Sequence, residues 1–478
     1  MEATPAASVS ESSGYFQVAI VVDFNDNARL FPLLADSLPL CLLPIANRPV
    51  LALLLDLLVA NGVKEAFLSS PKDYCTALSS FLQTYELRAA ISIEIVAVGE
   101  GSMSGTGDSL RVLADRIHAN DLLVLSSDFV SQLPLSSLLN LHREKAADVT
   151  VLFAPPPLEE TEKGCKVTLR HAKIDGEDQE FIALSSEGRL LLKRPAYEVE
   201  DVFSLHKHLL HTSASPVTLR TDLMDVGCYV LSKWILNTLR ASSTSPSSSV
   251  ASKFSSLRTD VLPYLVDRQN QSEAYLREHL PALFFQRKPL QELSQWLNVS
   301  SLSSSFSSLH PETRGSPLPP RISRLSSFSS QATAAEESKP ADGNGTSADS
   351  LRCFAFVLSD KESSSELNIC RRITSLHAYM ALNKYSTYLF ILTAVYCPSS
   401  SLINRVRDVL VGAAATSLAP WSRLQGYQKK EISVLGDKST LCNKVTLKGC
   451  SVGRDCVIGD RSKLNNCIVM DGVIIGEG

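Results

Sequence analysis

Two aspartates in this sequence could hold a divalent cation. Asp128 ends the strand-like run LLVLSSD, and a carboxylate at the carboxyl end of a buried strand is well placed to bind Mg²⁺. Asp225, within TDLMDVGCYVL, is a second possible ligand. Each aspartate taken alone is better explained as a solvated or capping residue. The two together, on a suitable sheet, predict a metal site.

The turn after Val22 has the position of a phosphate-binding loop but not its composition. A phosphate needs backbone N–H groups at close range, which glycine permits because it has no Cβ. This turn instead reads Asp23-Phe24-Asn25-Asp26-Asn27-Ala28. One carboxylate about 6 Å from one phosphate charge costs roughly 3 kcal/mol at an effective dielectric near 20. The composition therefore predicts a turn that has lost its ligand, while its asparagines still tolerate positive φ.

A glycine-rich loop, GSMSGTGDSLR at 101–111, enters a predicted helix. Its N–H groups could face a base or a phosphate, and Gly105 and Thr106 are the residues concerned. A tight turn with Asp108 or Ser109 in the first turn of the helix explains the pattern equally well. A second loop, SLPLCLLPIANRPV at 37–50, leads into a helix with Pro49 near its first turn.

These residues need a sheet to position them, and the chain predicts one from Phe16 to about Leu239. Strands are predicted at 16–22, 65–70, 91–98, 121–127 and 148–155, and helices at 48–63, 73–85, 107–117 and 134–146. Apolar runs separated by amphipathic helices indicate crossover units on a mostly parallel α/β sheet. Ligands of such sheets bind at the carboxyl ends of the strands. Chemistry is therefore expected at the turns after Val22 and Ser127.

Composition and charge limit the classes of function. The chain has 478 residues, of which 44% are hydrophobic and 20% charged, and a net charge of −4 without a basic block, which argues against direct nucleic-acid binding. The run YSTYLFILTAVYC is too short to span a bilayer. Eleven cysteines occur without a C-x-x-C pair, which favours reduced thiols in a cytosolic protein.

The end of the chain carries a repeat. Apolar residues recur six apart and then start again with an offset of 17, at Leu435, Leu441, Leu447, Val452, Ile458, Leu464, Val469 and Ile475. Six-residue periodicity predicts one inward residue on each face of a three-sided parallel β-helix, with these eight as its core. No histidine follows His377, so a hexapeptide-repeat acyltransferase lacks its usual general base. The repeat is therefore interpreted as a structural or interaction element.

Composition shifts predict the division of the chain. We expect a disordered tail at 1–14, an α/β domain at 15–297 with a serine-rich insert at 241–256, a disordered serine-rich linker at 298–350, an αβ connecting segment at 351–430 and the β-helix at 431–478. The second module is expected to begin near Leu351. The repeat stops within a coil at Gly478, which indicates either a covering partner or a truncated product.

The segments RLFPL and LPLCLLPIANRPVL together resemble the signature of sugar-phosphate nucleotidyltransferases, a Gly-Gly-x-Gly-Thr-Arg-Leu loop followed by a Pro-Lys-Pro segment. The resemblance implies a Rossmann-like nucleotidyltransferase-type domain. It aligns Phe24, Asn25 and Asn27 with the three glycines and keeps Arg29. It aligns Leu40 with the signature lysine, which in active members contacts the phosphate side of the substrate. Asp128 and Asp225 match the two metal aspartates, although SSD departs from the usual Gly-Asp.

Further motifs resemble the gamma subunits of eukaryotic translation initiation factor 2B, a guanine nucleotide exchange factor complex. They are GTGDSLR, LLVLSSDFVSQLPL, TDLMDVGCYVLSKWI and LRTDVLPYLVDRQ, followed by the β-helix, which the resemblance implies is left-handed. It also implies a cytosolic, non-catalytic subunit. Its partners would be the catalytic epsilon subunit, the alpha, beta and delta subunits and initiation factor 2, with no membrane or nucleic-acid contact.

Two other functions stay open at this point. An active sugar-phosphate nucleotidyltransferase of the GDP-mannose pyrophosphorylase type would need the phosphate cradle and a cation where Leu40 stands. A degenerate domain that still binds a nucleotide weakly would use Arg29 and the 101–107 loop. We expect no cofactor beyond such weak binding, and Asp128 and Asp225 as vestigial metal positions.

Overall fold

A computed structural model of the chain describes residues 16–22, 30, 33–34, 38–85, 90–99, 105–131, 133–156, 158–163, 166–171, 174, 176, 178–199, 216–244, 254–269, 271, 351–358, 370–383, 433–436 and 438–478. All of them belong to one compact unit formed by residues 1–283 and 351–478. The predicted tail and the serine-rich linker lie outside the described residues, as do most of the serine-rich insert and residues 384–432 of the connecting segment.

The strands of the α/β part are β1 (Phe16–Val21), β2 (Pro44–Ile45), β3 (Arg48–Pro49), β4 (Glu65–Pro71), β5 (Ser92–Val98), β6 (Asp121–Ser126), β7 (Phe129–Ser131), β8 (Val149–Ala154), β9 (Leu158–Lys163), β10 (Lys166–His171), β11 (Glu180–Ser185), β12 (Leu190–Pro195), β13 (Val217–Arg220), β14 (Met224–Ser232), β15 (Cys353–Val357) and β16 (Cys370–Arg372). The helices are α1 (Val50–Ala60), α2 (Lys72–Thr84), α3 (Thr106–Leu113), α4 (Leu135–Glu144), α5 (Lys233–Thr244) and α6 (Leu262–Arg268). A 3₁₀ turn at Leu40–Leu42 precedes α1, a π-helical turn at Leu257–Val261 runs into α6, and residues 376–383 are helical.

Seven strands form the central sheet in the order β15-β8-β14-β6-β1-β4-β5. Only β14 runs antiparallel to its neighbours, so the sheet is mostly parallel, as the alternating pattern predicts. The predicted strands and helices between residues 16 and 155 are confirmed to within a few residues at their ends. Their apolar runs are buried because helices cover the sheet.

Strand β15 differs from its predicted place. It pairs in parallel with β8, Cys353 opposite Val149, and forms an edge of the central sheet. Residues 351–358 are therefore part of the α/β domain and do not begin a second module. A long insertion separates β15 from the rest of the sheet in sequence, and apolar patterning alone does not reveal which sheet a distant strand joins.

The C-terminal residues form three short parallel sheets. Their strands are β17 (Val434–Leu435), β18 (Thr440–Leu441), β19 (Thr446–Lys448), β20 (Ser451–Val452), β21 (Val457–Ile458), β22 (Lys463–Asn465), β23 (Ile468–Val469) and β24 (Ile474–Ile475). Neighbouring strands in each sheet pair residues that lie 17 apart in the chain. The strand orders are β17–β20–β23, β18–β21–β24 and β19–β22. All eight apolar residues of the sequence repeat pack in one hydrophobic cluster.

The repeat docks on the loop before α1. Asn47 donates from Nδ2 to the carbonyl oxygen of Val452 (2.7 Å) and accepts a hydrogen bond from Ser451 Oγ (3.2 Å). Beside it, Tyr379 Oη donates to the carbonyl oxygen of Pro44 (2.6 Å), and the N–H of Ala46 donates to Asn383 (2.9 Å). The loop thus joins the repeat and the helical residues 376–383 to the α/β domain. Within the described ranges, no helix is both long and apolar enough to cross a membrane.

Candidate functional site

The ends of β6 and β14 bring the two predicted aspartates into one buried region. Asp128 follows β6, and Asp225 lies near the start of β14, which pairs with β6. Asp128 is 0% exposed and Asp225 is 3% exposed. Arg372 contacts Asp128, and its charge also acts on Asp225. Because β14 runs antiparallel to β6, the amino end of β14 lies beside the carboxyl end of β6, and this brings Asp225 to the edge of the sheet where Asp128 lies.

Asp128 has a positively charged partner supplied by the chain itself. Arg372 Nε lies 2.9 and 2.8 Å from the two carboxylate oxygens of Asp128, and Ser126 Oγ donates to the same carboxylate. Arg372 ends β16, which pairs antiparallel with β7 directly after Asp128. A guanidinium held against a buried carboxylate makes a charge-assisted interaction at the place where a metal ion would bind.

Gly227 makes room for this pair. Its φ is +74°, a backbone conformation that residues with a side chain rarely adopt. A Cβ at this position would lie 2.7 Å from Ser126 Cβ and 3.2 Å from both Cδ and Nε of Arg372. The N–H of Gly227 also donates to Asp225 Oδ1 (2.9 Å). One glycine thus allows Arg372 to approach and helps to bind the second aspartate.

Asp225 belongs to a buried network of charges. Lys193 Nζ lies 3.2 Å from Asp225 Oδ2 and 3.0 Å from Glu180 Oε1, and this lysine is 1% exposed. Arg258 Nε lies 2.9 Å from Glu180 Oε1, and its Nη1 lies 3.2 Å from Asp178. Opposite charges that are buried this close together stabilise each other, since burial removes most of their contact with water.

The network shifts two pKa values. Burial opposes ionisation of Asp225, but the charges of Lys193 and Arg258 outweigh it and hold the pKa of this carboxyl below its usual value. Burial, together with the charge of Asp225, raises the pKa of Tyr229 well above its ordinary value. Asp225 is therefore an anion and Tyr229 is a neutral phenol over the neutral range.

These two shifts predict a plateau in stability against pH. A depressed carboxyl pKa stabilises the fold above the unfolded value of about 4, and this contribution is lost as pH falls through the folded pKa. A raised phenol pKa stabilises the fold below about pH 10, because above it the unfolded state ionises first. The free energy of unfolding, measured by urea denaturation from pH 2.5 to 11, should fall both at the acid end, which we call the acid limb, and at the alkaline end. Asp225→Asn should flatten the acid limb, and an unchanged acid limb in that variant would contradict the assignment.

Leu40, which the resemblance aligns with the signature lysine of nucleotidyltransferases, is buried. It is 1% exposed, lies in the 3₁₀ turn before α1 and packs in a cluster with Val130 and Tyr379. Ile468 and Met470 of the repeat pack against the same cluster. A lysine here would have to bury its charge, which is unfavourable without a partner. The position is used for packing between the α/β domain and the repeat.

Gly105 and Thr106 contact another part of the chain. They begin α3, and the residues that lie on them are 254–257, just before the π-helical turn. The N–H of Gly107 donates to the carbonyl oxygen of Ser255 (2.7 Å), and Thr106 Oγ1 accepts from the N–H of Leu257 (2.7 Å). The side chain of Asp108 accepts from the N–H of Gly105 (3.2 Å), as the turn interpretation expects.

The remaining predicted site residues cannot be placed. Phe24, Asn25, Asn27 and Arg29 lie outside the described residues. In the portion of the chain that is described, no group of three or more His, Cys, Asp or Glu side chains is arranged to hold a metal ion.

Sequence reasoning missed Lys193, Arg258 and Arg372. One signal was available: Lys193 interrupts the apolar strand LLLKRP, and a lysine in a buried strand needs an anionic partner. For Arg372 there was none, because it is 244 residues from Asp128 in the chain.

Comparison with known proteins places this geometry in context. The family model "Nucleotidyl transferase" matches residues 26–165. The chain is 28% identical over 306 residues to "Translation initiation factor eIF2B subunit gamma" of Dictyostelium discoideum, covering 61% of this chain and 65% of that protein. It is 28% identical over 268 residues to the subunit of the same name from Schizosaccharomyces pombe, covering 55% and 54%. It is 31% identical over 138 residues to "Translation initiation factor eIF2B subunit epsilon" of the latter organism, covering 27% and 19%. The aligned regions thus span less than two thirds of each relative.

Proposed function

We propose that this chain is a non-catalytic subunit of a complex of the initiation factor 2B type. It would support GDP/GTP exchange on initiation factor 2 by assembling with a catalytic epsilon-type subunit and by helping to bind the substrate factor. The similarity to gamma and epsilon subunits supports this assignment. The observation that carries its non-catalytic part is the pairing of both candidate metal aspartates with internal cations, Asp128 with Arg372 and Asp225 with Lys193.

Nucleotidyl transfer would require these carboxylates to hold a metal ion, which would stabilise the negative charge of the phosphates. A guanidinium 2.8 Å from Asp128 and an ammonium 3.2 Å from Asp225 already neutralise them. A metal ion would have to displace both cations from these carboxylates and so break two buried charge pairs, at a cost of several kcal/mol each. Leu40 adds to this argument, since the signature lysine is replaced by a packed apolar side chain. We therefore infer a degenerate nucleotidyltransferase site in which the scaffold is kept for assembly.

The C-terminal parallel sheets support a more detailed assignment of the scaffold. We propose that they are three sides of a left-handed parallel β-helix, which begins near residue 431 as the composition predicts. The solenoid would serve as a surface for other subunits of the epsilon, alpha, beta or delta type. All nine described cysteines are free thiols, in keeping with the proposed cytosolic location. The complex would speed GDP release by binding the nucleotide-free factor more tightly than the GDP-bound form.

The proposal is tested with the full chain, alone and co-expressed with an epsilon-type subunit of the same organism. We expect the two chains to co-purify, and release of labelled GDP from initiation factor 2 to be faster, by several fold, with the pair than with epsilon alone. The chain alone should give no exchange.

A second assay separates this function from nucleotidyl transfer. Pyrophosphate release from GTP and a sugar 1-phosphate with Mg²⁺ should stay at the background rate. Turnover that Asp128→Asn abolishes would show an active enzyme. Failure to bind an epsilon-type subunit would contradict the proposed role in assembly, even if the chain shows no nucleotidyl transfer.

A further inference from the structure

Residues 254–257, the strap, lie across the glycine-rich start of α3. Three hydrogen bonds join the two segments. The N–H of Gly107 donates to the carbonyl oxygen of Ser255 (2.7 Å), and the N–H of Leu257 donates to Thr106 Oγ1 (2.7 Å). Arg111 Nη2 donates to the carbonyl oxygen of Phe254 (2.8 Å). The bonds use main-chain groups of the strap, so they recognise its backbone more than its side chains.

The absence of a Cβ at Gly105 and Gly107 is explained by this contact. A Cβ on Gly107 would lie 2.9 Å from the carbonyl oxygen of Ser255 and still closer to that of Phe254. A Cβ on Gly105 would lie 2.9 Å from the carbonyl carbon of Ser255 and still closer to its oxygen. These neighbours are backbone atoms and cannot rotate away as a flexible side chain would. The glycines therefore permit a close approach of peptide to peptide.

The strap is held in the shape that fits this surface. Asp260 Oδ2 accepts from the N–H of Ser255 (3.0 Å), from Ser255 Oγ (3.0 Å) and from the N–H of Ser256 (2.8 Å). Leu257 is buried, and the ring of Phe254 lies 4.9 Å from that of Tyr264. One carboxylate that accepts three hydrogen bonds fixes a short segment before it binds, which reduces the entropy lost in the contact.

We propose that residues 105–107 form a binding site whose ligand is the main chain of the strap. The N–H of Gly107 and the hydroxyl of Thr106, the groups that a base or phosphate would need, are occupied by peptide of the same chain. A nucleotide would have to displace the strap to reach them. This site goes beyond the proposed role in an initiation-factor complex and does not depend on it.

Hydrogen–deuterium exchange of the full chain tests the proposal. Gly107→Ala introduces the Cβ that the strap excludes, and Ser255→Glu places a second carboxylate against Asp260. In both variants, amide exchange of the peptide containing residues 254–261 should rise at least tenfold, while exchange in the central sheet stays unchanged. Gly176→Ala is the matched control, because a Cβ there meets nothing within 4 Å. Ser255→Glu decides the matter even if Gly107→Ala fails to fold.

The same experiment with millimolar GTP and Mg²⁺ identifies the ligand of the site. Wild-type protein should show no change in exchange at 105–113 or at 254–261. Unaltered strap exchange in a folded Gly107→Ala or Ser255→Glu protein would overturn the proposal. So would protection of residues 105–107 by GTP together with faster exchange of the strap, because the glycine loop would then be a nucleotide site.

Discussion

A Lys193→Met variant is expected to lose about 3–5 kcal/mol of its free energy of unfolding, because the buried carboxylate of Asp225 loses the cation that lies against it. Lys193 lies between Asp225 and Glu180, whose side chains are 0% and 2% exposed. Methionine keeps most of the side-chain volume, so the loss reports the charge and not a cavity. Urea denaturation followed by circular dichroism measures it.

Two further variants identify the cause of this loss. Arg116→Met removes a cation from the exposed pair with Glu94, whose side chains are 44% and 54% exposed, and should cost about 0–1 kcal/mol. In the double variant Lys193→Met/Asp225→Asn, the carboxylate that lost the cation of Lys193 is replaced by a neutral amide. Part of the free energy of unfolding should therefore return, because substitutions at residues in contact are not additive. A loss in Lys193→Met no larger than in Arg116→Met would rule out the buried network as a stabilising element.

An Arg372→Met variant should lose a similar amount, about 3–5 kcal/mol, because Asp128 is then left as a buried anion with only Ser126 as its partner among the contacts described. The added substitution Asp128→Asn should recover most of the loss. Arg371→Met is the matched control: it lies on the same strand, where successive side chains point to opposite faces.

Magnesium provides an independent measurement on the same variants. Millimolar MgCl₂ should leave the unfolding free energy of the wild type unchanged, because Arg372 and Lys193 already neutralise both aspartates. It should raise the stability of Arg372→Met, since a ligand that binds only the folded state stabilises it by mass action. Stabilisation of the wild type by Mg²⁺ would mean that the cation site is intact and that the degenerate interpretation is wrong.

Periodicity was sufficient to predict the frame of the molecule. Buried strands such as β1 and β6 are apolar over most of their length, and α1 starts directly after Pro49, where a fixed φ suits the first turn. The six-residue spacing likewise identified eight residues of the hydrophobic cluster inside the C-terminal sheets, among them Leu435, Val452 and Val469, although it missed Val445, Val473 and the cysteines of that cluster. These features depend on residues that are close together in the sequence, so local patterns are sufficient to predict them.

The candidate site could be predicted only in part, for a physical reason. Asp128 was proposed because a carboxylate that follows a buried strand is well placed to hold a cation, and Asp225 was proposed as its second ligand. Their cations were not, since β16 reaches Asp128 only through pairing with β7, and Lys193 belongs to a separate small sheet of β11, β12 and β13. The role of Gly105 and Gly107 could not be predicted either, because it depends on the strap, which is distant in the sequence. A glycine permits close approach without specifying which segment approaches.

Strand β16, which carries Arg372 to Asp128, has a consequence for how the protein is made. The two residues are 244 positions apart, so a ribosome elongating at roughly 5–20 residues per second exposes the aspartate on the order of 10–50 s before its partner. Strand β15, the edge next to β8, is also translated late. During that interval the nascent sheet has an open edge and an unmatched charge. Biogenesis of this protein should therefore depend on chaperones that shield the unfinished sheet until synthesis has passed residue 372.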